Sequence, residues 1–397
     1  MAGRRRAWRS GAAALALALV ALVGGCDGAA TGDGTRADVR RVLDRRAAAV
    51  LAHDAGAYAR TGTGTPFANI AAVPLTAWSY RLTSLHRTGD RATAAADLSY
   101  RLTGYDRSPV TVGRTLTLAR AAGGRWTVLT DRPARKAPQQ LWDQGKVTAV
   151  RGAHSLVLGV GQSGTALRGY ADLADEAVPA VTRAWGTDWS RHVVVLVPGS
   201  LDAMAGLLAS TASSYRGIAA VTTGEAGGTT SAPADRVIVN PDAYGILGAL
   251  GRQVVLTHET THVATRAHTG AATPLWLSEG YADWIGYRSA DRTPREIAPE
   301  LANAVAGGDA PTTLPTDKDF GFTSDSTELA QAYEGGWLAC RLIADEWGEA
   351  DLGAFYRSVG THDRRAGAVE AALKDVLHTT PDEFTERWRA YVGEVLG

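Results

Sequence analysis

Two histidines four residues apart with a glutamate after the first, His258-Glu259-Thr260-Thr261-His262, constrain this 397-residue chain more than any other feature. On an α-helix, positions i and i+4 share a face. Both imidazoles can therefore reach one cation while Glu259 projects beside them. The flanks keep helical spacing, with Leu247, Leu250, Val254 and Val255 ahead of the motif and Val263 continuing the run. With nine histidines in the chain, chance would produce this pattern in roughly one such chain in a hundred. The segment predicts a helix, and a hydrolytic metal site would need a third donor brought to it.

Two residues compete for that position. His268 follows His262 by six residues, the spacing of H-E-x-x-H-x-x-G-x-x-H. The glycine of that pattern is here Thr265, a β-branched residue unsuited to a left-handed turn. The two methionines, Met1 and Met204, both precede the motif, which leaves no methionine turn beneath it. The other candidate is Glu279, separated from His262 by sixteen residues and set in Pro274-Leu-Trp-Leu-Ser-Glu-Gly-Tyr-Ala-Asp283. Leu275, Leu277, Tyr281, Ala282 and Ile285 give this segment an apolar helical side, with Pro274 near its start. Asp283, one turn beyond Glu279, suits an acceptor for the second N–H of a ligating histidine. The reading is one Zn²⁺ held by His258, His262 and Glu279, with Asp283 behind it. Structural zinc closes with four ligands, usually including Cys, and Cys340 lies far along the chain.

The pair H-E-T-T-H and W-L-S-E-G-Y-A-D resembles the gluzincins, the thermolysin-like and M1-type zinc peptidases, and most closely the peptidase MA-like group. Tyr333-Glu334-Gly335-Gly336 is similar to the Y-E-x-G segment of M1 enzymes. The resemblance implies that the Tyr333 hydroxyl stabilises an oxyanion and that Glu259 is the general base for a zinc-activated water attacking a peptide bond. It covers about residues 150–395. The G-x-M-E-N segment by which M1 aminopeptidases bind an amino terminus has no counterpart ahead of His258, and Glu225 does not take its role. The choice between exo- and endopeptidase stays open.

The amino terminus carries an address. Arg4, Arg5, Arg6 and Arg9 precede an apolar stretch over 12–23, and Val23-Gly-Gly-Cys26 reads as a lipobox. Cleavage before Cys26 and lipidation of its thiol would anchor the chain to the outer face of a bacterial cell membrane. With Cys26 so used, Cys340 has no disulfide partner and is expected as a small buried hydrophobe. The 41 basic and 41 acidic residues cancel, which gives no support for a polyanion-binding surface or for nucleic acid as a partner.

The expected organisation is α+β in two modules. Residues 1–26 are the signal peptide, 27–35 a flexible tether, 36–133 the first module, 134–150 a linker with a short helix, and 151–397 the zinc peptidase-like module. In the first, a helical pattern (Val39, Val42, Leu43, Ala47, Val50, Leu51) precedes strand patterns at 77–82, 92–102, 113–119 and 125–129. This order resembles the NTF2-like cone, a helix plugging a curved antiparallel sheet. His53, Asp54 and His86 read as exposed loop residues. In the second, strands at 155–160 and 192–197, helices at 167–185 and 201–209, and edge-type strands at 218–225 and 235–240 precede the motif helix. A loop with Gly227 and Gly228 lies between the last two, and a further helix covers 329–347. The chain is therefore read as a monomeric, lipid-anchored, extracytoplasmic zinc metallopeptidase acting on a peptide or protein. The alternatives are a catalytically degenerate zinc-binding scaffold or a ligand-binding lipoprotein.

Overall fold

The computed structural model describes residues 28–223, 234–321 and 325–397, with side chains from Gly34 on. The lipobox at Cys26, Glu225 and the loop at Gly227 and Gly228 lie outside these residues.

The first module is a helix, α1 (Gly28–Leu51), on a four-stranded antiparallel meander. Its strands are β1 (Leu75–Thr88), β2 (Arg91–Leu102), β3 (Val110–Arg120) and β4 (Trp126–Pro133), in that order across the sheet. Period-two patterning sets the faces. In β2, Ala92, Ala94, Ala96, Leu98, Tyr100 and Leu102 are buried while their neighbours are not. Val39, Val42, Leu43 and Val50 of α1 belong to the same core. The chain is already helical at Gly28, the first described residue, so the stretch expected as a tether is helical from there on. Asp54 caps a short helix by accepting from the Ala57 amide at 2.8 Å. His86 lies within β1 rather than in a loop, paired with Thr93.

Inside this core, Arg114 pairs with Asp131 at 2.7 Å and with Asp143 at 2.8 Å, and Tyr80 donates to Asp131 at 2.7 Å. Asp143 lies in a short helix, Leu141–Gln144, so a buried ion pair pins the segment expected as a linker. Removing one partner of such a pair costs about 3–5 kcal/mol.

That linker is also shorter than its expected bounds. Val147–Arg151 is β5, an edge strand of the second sheet. The others are β6 (Ser155–Val160), β7 (Val193–Val197), β8 (Ala220–Thr222) and β9 (Val237–Val239), in the order β5-β6-β7-β9-β8. β6, β7 and β9 run parallel, with β5 and β8 antiparallel on the edges. β8 is thus the edge strand expected, but β9 is interior. Alternate residues face two cores: Leu156, Leu158, Val194 and Ile238 join the first module, while Val157, Val195, Val197 and Val239 join the helices. Burial on both faces explains why these strands read as continuous apolar runs.

The helical part follows. Numbering helices of eight residues or more, α2 (Gly164–Trp185) links β6 to β7. Then come α3 (Ala249–Thr265), α4 (Leu275–Tyr287), α5 (Pro299–Gly307), α6 (Ser326–Glu346), α7 (Glu349–Gly360), α8 (Ala368–Val376) and α9 (Pro381–Leu396). The fold is α+β, with an antiparallel sheet first and a largely helical part last. Among the described residues no helix is long and apolar enough to cross a membrane.

Candidate metal centre

The motif helix α3 is buried on nearly all sides in its second half, from Leu256 through Thr265. Four threonines lie there, and three have hydrogen bonds that suit burial. Thr257 donates to the Gln253 carbonyl at 2.9 Å and Thr261 to the Thr257 carbonyl at 2.8 Å, each one turn back. Thr265 accepts through its carbonyl from the Thr269 hydroxyl at 3.1 Å. Small β-branched residues therefore fill a space between α2, β8 and α4, with the hydroxyls of Thr257 and Thr261 satisfied within the helix itself.

Glu279 reaches this helix because α4 is held very close to α6. A Cβ placed on Gly280 would lie 2.2 Å from the Gly336 carbonyl oxygen, and one on Gly336 would lie 2.7 Å from the Trp276 oxygen. The glycines of S-E-G-Y and Y-E-G-G thus face each other across one backbone-to-backbone contact.

His258, His262 and Glu279 come together at this point. The two Nε2 atoms are 3.0 Å apart, and Glu279 Oε2 lies 3.3 Å from that of His258 and 3.5 Å from that of His262. Three ligand atoms of a tetrahedral Zn²⁺, each about 2.0–2.1 Å from the ion, would be about 3.3 Å apart. The donor set fits the ion in type and in spacing. Asp283 Oδ1 is 2.7 Å from His258 Nδ1. With Nδ1 carrying the proton, the Nε2 lone pair of His258 is directed at the shared centre.

The electrostatics favour a positive species here. Burial opposes charge on His258, but Asp283 and Glu279 outweigh it and hold the imidazole pKa well above its usual value. Burial would raise Glu279, yet the two imidazoles hold it well below the usual carboxylate range. A proton and a metal ion compete for one such site, so a bound cation would take the proton's place. For Glu259, burial prevails over the pull of His258 and His262 and raises its pKa, the direction that suits a proton acceptor working near neutrality.

His268 is not part of this cluster. Its ring stacks edge-on against Trp185 at 5.5 Å, and its Nε2 lies 3.6 Å from Asp188. Among the described residues the potential metal-holding group is His258, His262 and Glu279. Tyr333 lies on α6, whose start at Ser326 is close to the expected one, with its ring edge-on to Phe320 at 5.1 Å. Cys340 is fully buried, its Sγ 3.9 Å from the Leu277 carbonyl.

Two contacts had no sequence signal. The Thr222 hydroxyl, on the three-residue strand β8, donates to Glu259 Oε2 at 2.7 Å and lies 3.1 Å from its carbonyl. Arg266, one turn after His262, donates to Asp235 at 2.8 Å and to the Thr223 carbonyl at 2.6 Å, fastening both arms of the β8–β9 hairpin to the motif helix. Both pairings span more than thirty residues, beyond what local spacing can reveal.

No protein-family model matches the chain, and no curated protein matches it. Solved structures do. A two-domain M1 zinc metallopeptidase, a Glu-to-Ala variant bound to L-arginine, is 15% identical at a TM-score of 0.36, over 77% of this chain and 61% of that one. The corresponding variant from Deinococcus radiodurans is 16% identical at 0.35, over 81% and 62%. The M1 zinc metallopeptidase of that organism without the substitution is 17% identical at 0.33, over 81% and 61%. The chain spans about three fifths of the length of these structures.

Proposed function

We propose that this chain is an extracytoplasmic zinc metallopeptidase, anchored to the outer face of a bacterial cell membrane through lipid on Cys26. The observation that carries the hydrolytic part is the placement of Glu259. A site that only stored or sensed a metal would have no use for a buried carboxylate beside the donors, hydrogen-bonded by Thr222 at 2.7 Å. Zn²⁺ held by His258, His262 and Glu279 supplies a Lewis acid that polarises a carbonyl and lowers the pKa of water.

The remaining steps belong to side chains of this protein. Glu259 accepts the proton of the attacking water through the oxygen that Thr222 does not engage, then gives it to the leaving amine. Asp283 keeps His258 in one tautomer. Tyr333 donates to the oxyanion that develops on the scissile carbonyl, a type of contact worth about 3 kcal/mol. Residues 36–133 form the NTF2-like part of this reading.

The test is digestion of a broad peptide library with and without a chelator, by the native chain and by E259Q. Chelator-sensitive cleavage by the native chain, lost in an E259Q protein that keeps its zinc, is the expected result. Full zinc occupancy with no chelator-sensitive cleavage would favour a catalytically degenerate scaffold.

A further inference from the structure

The balanced charge of the whole chain hides an uneven distribution. Residues 36–133 hold fifteen Arg against seven Asp, with no Lys and no Glu, a net charge of +8. Residues 134–397 hold 22 basic and 32 acidic residues, a net charge of −10. Part of the excess in the first module gathers at one end. The β1–β2 and β3–β4 turns lie side by side there, joined by the Arg120 amide donating to the Asp90 carbonyl at 2.8 Å. Arg87, Arg91, Arg120 and Arg125 are exposed on this rim, with Asp90 as the acid among them. None of the four pairs with a carboxylate among the described residues.

The course of α1 gives this end a direction. Arg36 donates to the Leu82 carbonyl at 3.0 Å, while Thr35 Oγ1 accepts from Arg87 at 3.0 Å. Moving towards the amino terminus, the helix therefore travels along β1 towards the turn at Gly89. Residues 28–34 continue that way for about 10 Å at 1.5 Å per residue. Cys26 lies two residues in sequence before Gly28, the first described residue of α1.

We propose that this arginine rim is a docking surface for an anionic lipid bilayer. The inference rests on the lipidation of Cys26 put forward above. Acyl chains at that position would enter the membrane beside the rim, within about the 8–10 Å over which surface charge is felt at physiological salt. Anchoring becomes firm when an acyl chain is joined by a basic patch. The net-negative remainder of the chain would be turned away from such a surface, so charge would orient the molecule as well as hold it.

The test uses the full native chain purified from membranes. It is mixed with neutral phosphatidylcholine vesicles or with vesicles holding 30% phosphatidylglycerol, and amide hydrogen exchange is followed. Exchange at the two turns, 88–91 and 120–125, is expected to slow by at least about fivefold on the anionic vesicles alone. The slowing should vanish in R91E/R125E and in high salt, and persist in R364E/R389E, which alters exposed arginines of the helical module. R91Q/R125Q serves if the charge reversal unfolds the protein. Equal exchange on both vesicle types would overturn the proposal. So would equal protection by soluble polyphosphate, which would assign the rim to polyanions in general. Flotation with neutral vesicles tests the anchor separately. A chain that fails to float with them lacks the lipid, and its flotation with anionic vesicles then reads the arginines directly.

Discussion

The contact that brings Glu279 to the metal centre can be broken by one methyl group. In G280A the new Cβ would lie 2.2 Å from the Gly336 oxygen and 2.3 Å from its carbonyl carbon, where ordinary contact begins at 3.4 Å. The atoms it meets are helix backbone and cannot rotate away, so α4 and α6 must part by roughly 1 Å. Overpacking of this kind costs about 3 kcal/mol, against which alanine returns about 1 kcal/mol as the better helix former. The net loss of about 2 kcal/mol corresponds to a fall in Tm of about 4–8 °C. Glu279 is the adjacent residue, and a displacement of roughly 1 Å exceeds the roughly 0.2 Å tolerance of a metal–ligand distance. Zinc affinity should therefore fall by at least about tenfold. Calorimetry and competitive titration with a chromogenic chelator measure the two quantities. A G280A protein with native Tm and native zinc affinity would refute the account of how α4 is positioned.

Other consequences follow from the same geometry. D283N should weaken zinc binding by about 10- to 100-fold, because the His258 Nδ1–H loses its anionic acceptor; unchanged affinity in the same titration would remove Asp283 from the site. T222V should keep its zinc and lower kcat by about tenfold or more, the loss of one hydrogen bond to a carboxylate, while T222S stays near native. Equal losses in both variants would point to packing instead. Glu334 accepts from the Leu301 and Glu300 amides at the start of α5, yet burial pushes its pKa up to about 7 from 4.5. A folded-state pKa above the unfolded value gives stability that is full at low pH and lost as pH rises through 7. Between pH 5 and pH 8 the native chain should therefore lose about 1–2 kcal/mol relative to E334Q, after discounting for solvent screening. A difference in Tm that does not change with pH would contradict this.

How much of this was legible in the sequence follows from the range of each interaction. The helices of His258, Glu279 and Tyr333 were readable because their determinants lie within one or two turns. That Glu279 rather than His268 lies beside the two histidines was readable too, since Thr265 is unsuited to the turn that His268 would need. Thr222 was invisible: a threonine in a three-residue edge strand carries no mark of the carboxylate it meets 37 positions away. The close approach of Gly280 and Gly336 left glycines in both motifs, but nothing local paired them. The strand Val147–Arg151 carries little local signal, because it is half-exposed along most of its length and is defined by its pairing with β6. The arginine rim was hidden by counting charge over the whole chain, where the acidic helical part cancels it.

The central claim is that His258, His262 and Glu279 hold one zinc ion. Its most direct test is the zinc content of the native chain, E279A and H268A after dialysis, measured by elemental analysis on protein shown to be folded. The account predicts one zinc per chain in the native protein and in H268A, and a large loss in E279A. Zinc retained by E279A and lost from H268A would contradict it.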